Sequence, residues 1–396
     1  MKRQAFTAHF CLLIVLLAGI YSLAAEPARL PHVSPAEAGL SAAKLQQIDA
    51  IVQEGLDQKK MPGCVVLVGR RDKIVLLKAY GNKRLEPAAE PMTTDTVFDV
   101  ASLTKPIATA TSVMILVDKG KLKLDEPVAT YLPDFAANGK EKVIVRQLLI
   151  HTSGLIPDNS IKDYDDGADE ALKRVLALKL QTPPGERFAY SDMNYVVLGE
   201  LIKKIAGKNV HKYSQEHIFQ PLGMKETTYL PGDVLKHRAA PTQQREGKWM
   251  QGEVHDPRAY KLGGIAGHAG LFSTAEDLAI YANMMLRRGE RGGKRILSED
   301  AWKQMTSPNK VPARRNKGAE YEGLRGLGWD MKTGYSINRG ESSSPAAFGH
   351  GGFTGTAIWI DPEKDLFLIF LSNRVHPDGK GLVNPLIGRI GTVVGE

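Results

Sequence analysis

The sequence contains almost no cysteine. Two occur among 396 residues, Cys11 and Cys64. Cys11 lies in a segment that reads as a cleaved leader, so a single thiol is expected in the mature chain. An internal disulfide, a thiol framework and a cysteine-based zinc site are thereby excluded. Cys64, in the apolar run GCVVLVG, reads as a small buried strand residue and not as a nucleophile. Long apolar runs are missing too. The one candidate, CLLIVLLAGI, is shorter than the roughly 20 residues that span a bilayer. It follows a basic MKR start and precedes the small residues SLAA. This pattern predicts a secretory signal over residues 1–25, cut near Ala24 or Ala25. A secreted or periplasmic protein with no membrane span after cleavage is expected. Cys11 precedes the apolar core and is therefore not placed for lipid attachment.

Other absences narrow the function. There is no nucleic-acid motif, no internal repeat and no long low-complexity tract. The net charge of +8 comes from basic residues spread along the chain. The densest cluster, Arg314, Arg315 and Lys317, sits in a polar, loop-like stretch. This reads as solvated surface, with no nucleic-acid partner and at most a weak attraction to anionic substrates or envelope surfaces. GAEYEGLRGLGWD is glycine-dense but lacks the strand and helix that frame a phosphate loop. The nucleophile elbow G-x-S-x-G is absent, which argues against an α/β-hydrolase. The histidines show no metal-ligand spacing, so neither metal nor other cofactor is expected.

What is present begins with a core-sized apolar content, 43% against 24% charged residues, enough for one large domain or two packed ones. SAAKLQQIDAIVQEGL places Leu45, Ile48, Ile51 and Val52 on one helical face, with Ser41 as cap. CVVLVGRRDKIVLLKAYG reads as a hairpin around a polar turn, and TAIWID and LFLIFLSN as a second one around PEKD. Between Phe98 and about Leu230 the pattern is helical, with Pro/Gly turns. A last apolar helix is predicted from Leu382 to Val393. The order suggests an α/β sheet domain (26–97 and 240–396) interrupted by a helical domain (98–239).

Three stretches carry candidate chemistry. In DVASLTKPIAT, Ser102 and Lys105 lie one helical turn apart at a helix start, where the helix N-terminus and the nearby cation both favour deprotonation. Alone, the same residues fit an N-cap and a snorkelling lysine. In FAYSDMNYVVLGE, Tyr190 near a lysine is a possible general base, its acidity raised by the cation; alone it equally fits a tyrosine beside a helix cap. In FGHGGFTGTAIWIDP, the glycines let a backbone approach a substrate, and a free strand edge can offer an N–H to an oxyanion; alone it also fits a glycine turn into a hairpin.

Together, Ser102-Leu-Thr-Lys105, Tyr190-Ser191-Asp192 and His350-Gly351-Gly352 resemble, in order and separation, the motifs of serine hydrolases related to class C β-lactamases. That family includes penicillin-binding D-alanyl-D-alanine carboxypeptidases, D-amino-acid peptidases and esterases. VIVRQLLIHTSGL, LGGIAGHAGLFSTAEDLAIYANMML and IWIDPEKDLFLIFLSNRVHP are similar to further family segments, so the likeness runs from about Ser34 to Val394. It implies a β-lactamase/transpeptidase-like α+β fold: an antiparallel sheet flanked by N- and C-terminal helices, an inserted all-helical domain, and the active site between them. It also implies roles. Ser102 would be the acylated nucleophile, activated by Lys105 and Tyr190. The backbone N–H groups of Ser102 and Phe353 would form the oxyanion hole. Asp192, His350, Gly351, Gly352 and His255 would line the substrate site.

Two positions depart from the class C pattern. Asp192 replaces an asparagine and would repel a carboxylate-bearing substrate unless it pairs with Lys105. His350 replaces the lysine of Lys-Thr-Gly, and as a neutral imidazole it would hold a carboxylate less firmly. Both weaken the case for efficient β-lactam hydrolysis. The neighbouring His255 and Asp256 either line the site or stabilise a turn through a His–Asp pair, and both readings stay open. His151 and His268 read as structural. The expected function is a secreted serine acyl-hydrolase acting on a small ester or a D-amino-acid-containing peptide, such as one derived from peptidoglycan. The competing readings are a class C-like β-lactamase and a non-catalytic penicillin- or peptidoglycan-binding module.

Overall fold

The computed structural model describes residues 29–314 and 318–396. The expected signal segment lies outside the described residues, as do Arg315 and Lys317 of the basic cluster. Among the described residues no helix is long and apolar enough to cross a membrane.

Ser41 caps the first helix, Ala42–Asp57, by accepting the Lys44 N–H. Its Leu45, Ile48, Ile51 and Val52 are buried, as their spacing requires. Strands β1 (Gly63–Arg70) and β2 (Lys73–Arg84) form the first hairpin, and β3 (Glu90–Pro91) pairs beyond β2. Two short strands, β4 (Phe98–Asp99) and β5 (Thr228–Tyr229), bracket the helical segment. A small hairpin follows, β6 (Gln244–Arg245) with β7 (Lys248–Trp249), and then β8 (Leu271–Ser273). Beyond the helix Ala275–Leu286 come a second small hairpin, β9 (Glu290–Arg291) and β10 (Lys294–Arg295), and the strands β11 (Asn309–Arg314), β12 (Glu320–Arg325) and β13 (Asp330–Lys332). The last strands are β14 (Phe348–Gly352), β15 (Thr356–Asp361) and β16 (Leu366–Ser372), the latter two joined through the expected turn. The final helix, Asn384–Gly395, starts two residues later than the apolar run suggested, with Pro385 in its first turn where a missing N–H costs nothing.

The large sheet is antiparallel throughout, in the order β11-β12-β13-β14-β15-β16-β1-β2-β3. β1 lies between β2 and β16, with Cys64 opposite Ser372, so the early and late parts of the chain meet in mid-sheet. Alternation along β1 and β16 divides the core. Cys64, Val66, Val68, Leu368 and Phe370 face the first and last helices, where they meet Ile48, Leu386 and Ile390. Val65, Leu67, Ile369 and Leu371 face the other way, into the core shared with the helix Ala275–Leu286 and the helical segment. Each fully buried side chain of this kind contributes roughly 1.5–3 kcal/mol. The architecture is α+β, with a sheet flanked by N- and C-terminal helices. A three-stranded sheet, β4-β8-β5, ties the helical segment to the chain on its far side.

The segment after Ser102 is not the regular helix its sequence suggested. Ala101–Leu103 form a 3₁₀ turn, Lys105–Ala110 a wide π turn, and only Thr111–Asp118 an α-helix. Pro106 has no N–H for an ordinary helical bond, and such irregular turns recur where a helix is shaped for function. Thr111 Oγ1 donates to the Pro106 carbonyl at 2.8 Å and Ser112 Oγ to Ala108 at 2.6 Å, which satisfies groups the wide turn leaves open.

Candidate active site

The site is assembled on the loop that follows β4. Ala101 has φ +47°, a left-handed conformation uncommon for a residue with a side chain. Asp99 holds it there: one carboxylate oxygen accepts the Ala101 N–H at 2.8 Å, and the other accepts the His255 N–H at 2.7 Å. Burial lifts the Asp99 pKa to about 6, against these two bonds that lower it. Nothing in the sequence marked Asp99, because its partners are the adjacent turn and a loop about 150 residues away.

Lys105 is fully buried, and three oxygens surround its ammonium. It donates to Ser102 Oγ at 3.0 Å and to the His268 carbonyl at 3.0 Å, and it lies 2.6 Å from Asp192 Oδ1. Burial alone would lower its pKa, but the charge of Asp192, and then Tyr190, reverse the direction and hold it above the usual lysine value. The Tyr190 hydroxyl faces both Lys105 and Ser102, and both favour its ionised form; the ammonium sits 5.0 Å from the Tyr190 ring centre. Lys105 does favour the ionised form of Tyr190, as expected, but it does not decide the outcome. Burial is the larger influence, and the net direction is upward despite Lys105. The resting site therefore holds a neutral phenol beside a lysine–aspartate ion pair.

Local structure fixes Tyr190 from behind. Ser191 caps the helix Asp192–Ala206 and gives its own N–H to His151 Nδ1 at 3.1 Å. The His151 ring lies 4.5 Å from the Tyr190 ring, centre to centre. Burial, followed by the charges of Arg325 and Lys105, keeps His151 well below the usual histidine pKa. This neutral, supporting place agrees with its structural reading.

His350 stands within β14. β14 pairs with β13 only at Gly349, so one edge of the strand beyond that point faces the site. His350 is 4% exposed, and its Nδ1 meets the Gly351 carbonyl at 2.7 Å. Burial, then Arg325, then Lys105 push its pKa well down. Gly352 lies so close to the Ser102 turn that an added Cβ would stand 2.6 Å from the Val100 carbonyl oxygen. Thr354 Oγ1 donates to the Asp99 carbonyl at 2.7 Å and Thr356 Oγ1 to that of Val100 at 3.0 Å. These bonds join the end of β14, and with it the backbone of Phe353, to the Ser102 turn. The exposed Phe353 ring stacks on His255, 5.5 Å between centres, beneath the Arg374 guanidinium.

His255 lines the cavity, its Nε2 2.7 Å from Gln243 Oε1 and its pKa lowered to about 4, chiefly by burial. It does not pair with its neighbour. Asp256 instead accepts from His268 Nε2 at 2.9 Å and from the Ala259 N–H at 2.8 Å, capping the helix Pro257–Lys261. Burial would raise the Asp256 pKa, but the His268 ring and these bonds hold it below the usual carboxylate range. His268, read as structural, thus contributes both its ring and its carbonyl. Asp192, Asp256 and His268 each offer a possible metal-ligand atom within 4.8 Å of the others. Lys105 already engages Asp192, however, and the other two are bonded to each other.

These groups surround a cavity of about 490 Å³. Ser102, Tyr190, Asp192, His255, His350, Gly351, Gly352 and Phe353 all line it, and Lys105 lies beneath its floor. Asp256 lines the cavity with His255, one of the two readings left open, while Asp158, Arg325, Asn338 and Arg374 also line it and carry no mark in the sequence.

The Beta-lactamase family model matches residues 48–390. An N-acetylmuramyl-L-alanine amidase of Bacillus subtilis is 31% identical over 382 residues, covering 87% of this chain and 85% of the relative. A putative D-alanyl-D-alanine carboxypeptidase of Escherichia coli K12 is 30% identical, covering 88% and 86%. Among solved structures, a penicillin-binding protein homologue from Caulobacter crescentus superposes with a TM-score of 0.71 at 21% identity, over 88% of this chain and 96% of that one. EstCE1, a hydrolase with promiscuous acyltransferase activity, gives 0.70 at 22% identity, over 89% and 99%.

Proposed function

The chain belongs to the β-lactamase family of serine hydrolases, and from that premise we propose that it is exported and that Ser102 forms an acyl-enzyme with a peptidoglycan-derived amide or peptide. The observation that carries the catalytic assignment is the hydrogen bond of Lys105 to Ser102 Oγ at 3.0 Å, with the Tyr190 hydroxyl facing both, on the floor of the cavity. Ser102 Oγ attacks the substrate carbonyl and its proton passes to the Tyr190/Lys105 pair. The C–N bond then breaks, the pair returns the proton to the leaving amine, and water releases the acyl group. The backbone N–H groups of Ser102 and Phe353 take the oxyanion; one such donor is worth about 10²–10³ in rate. Because Lys105 and Tyr190 both rest protonated, the pair must first lose one proton to become a base.

An amide substrate is supported by relatives named as an amidase and as carboxypeptidases, at 30–31% identity. The lining supports it too, because it carries both acidic groups, Asp158 and Asp256, and basic ones, Arg325 and Arg374. Such a surface suits a peptide bearing both charges. The test is a panel of D-alanyl peptides, muramyl-peptide amides, p-nitrophenyl esters and cephalosporins, run on wild type and Ser102→Ala. Intact-mass detection of acyl-phosphonate labelling accompanies it. Labelling of Ser102→Ala, or cephalosporin turnover faster than that of every amide, overturns the reading.

A further inference from the structure

Arg325 ends β12, at a register shift between Leu324 and Arg325. Such irregularities turn a side chain out of its regular position. It is fully buried yet lines the catalytic cavity, and none of its three guanidinium nitrogens has a hydrogen-bond partner. Its nearest carboxylate, Asp330, is 3.5 Å from Nη1 and already accepts from Thr333 Oγ1 at 2.8 Å and Ser336 Oγ at 2.7 Å. A buried guanidinium left this way costs several kcal/mol unless something completes its shell. The other groups around it add no anion. Phe188 presents its ring face 5.5 Å away. His151, His350, Tyr195 and Tyr335, from four separate segments, all feel its charge. Beside them Asn338 is buried, and its Oδ1 takes the Trp359 indole N–H at 3.1 Å. That leaves its amide nitrogen against Gly351, on the cavity side.

We propose that Arg325, together with the Asn338 amide that also lines the cavity, is its anion subsite and binds a carboxylate of the acyl substrate. The place of the family's strand lysine is taken by His350, but its charge is carried from β12. The inference rests on the acyl-enzyme reading, because it assigns the subsite to that same cavity. A guanidinium forms two parallel bonds to a carboxylate and stays charged at all working pH values.

The experiment compares two p-nitrophenyl esters of equal acyl length, one ending in a carboxylate and one in a methyl group, and adds glutarate as a competitor. In wild type the carboxylate ester is preferred, glutarate competes, and the preference is flat from about pH 5.5 to 8.5, across the ordinary histidine range. Arg325→Gln lowers the ratio of kcat/KM values about 30-fold, through KM, as loss of charged hydrogen bonds predicts. Arg325→Lys recovers part of it. An unchanged ratio in folded Arg325→Gln, or a wild-type preference that fades as pH rises through the imidazole range, overturns the proposal. If Arg325→Gln does not fold, glutarate competition in wild type and the ratio in Arg325→Lys decide. Phosphonate labelling of Ser102 is scored separately, so failure of the acyl-enzyme reading stays distinct from failure of the subsite.

Discussion

Lys105 Nζ lies 2.6 Å from Asp192 Oδ1, an ion pair with a fully buried ammonium at one end. The pair resolves the apparent conflict of a carboxylate in a site meant for acyl substrates, because the charge of Asp192 is answered by its neighbour. It also sets the pH behaviour. Lys105 and Tyr190 are both held above their usual pKa values, so the form with one proton fewer is scarce at neutrality and grows with pH. We expect kcat/KM to rise through neutral pH with a logarithmic slope near one. In Asp192→Asn the main influence raising Lys105 is gone and burial takes over, so the rise moves to lower pH. A wild-type maximum below neutrality, or a rise in the variant that does not move down, contradicts this assignment.

Tyr190 tests the proton path. Tyr190→Phe keeps the ring against His151 and removes the hydroxyl that faces Ser102 and Lys105. A fall of about 10²–10⁴ in kcat, with KM little changed, is the expected result. Steady-state kinetics that show the loss in KM alone would place the hydroxyl in binding.

The hydroxyls of Thr354 and Thr356 connect the end of β14 to the turn that carries Ser102. Replacing both with valine keeps the shape and removes the two bonds. Each bond contributes about 1 kcal/mol, so a lowered thermal midpoint is expected, together with a kcat loss of about tenfold or more as the oxyanion donors drift. A variant with unchanged kcat shows that the two segments hold their spacing without these bonds.

Gly352 has no room for a side chain. A Cβ would collide with Thr356 Oγ1 and stand 2.6 Å from the Val100 carbonyl oxygen. Gly352→Ala must push the strand away from the Ser102 turn. A loss of about 1–3 kcal/mol in stability is expected, with acylation slowed more than substrate binding is weakened. Rapid-mixing kinetics with a chromogenic ester separate the two. Unaltered acylation would mean that the Phe353 N–H is not part of the oxyanion site.

Much of this was legible because it is local. Ser41 and the Leu45/Ile48 face, the two hairpins, and the spacing of Ser102 from Lys105 depend on residues within a turn or two of one another. The helix after Ser102 was misread because Pro106 sits where its missing N–H widens the turn, and the apolar pattern does not register that. Asp99, the Asp256–His268 pair and Arg325 were missed for another reason. Each gains its role from partners across the fold, and an isolated acidic or basic residue looks the same in a sequence whether it faces solvent or a cavity. The resemblance to class C β-lactamases points to position 350, whereas Arg325, whose guanidinium has no hydrogen-bond partner, lies 25 residues earlier, on another strand.

The pairing of β1 with β16 has a consequence for how the chain is made. Residues near 65 remain without their neighbours on one side until residues near 370 have been synthesised. The hydroxyls that steady the Ser102 turn, on Thr354 and Thr356, arrive just as late. A ribosome still translating this message therefore holds a chain with an open sheet edge and an unbraced nucleophile, because contacts of such sequence separation form last. The catalyst is therefore complete only after the whole chain is available.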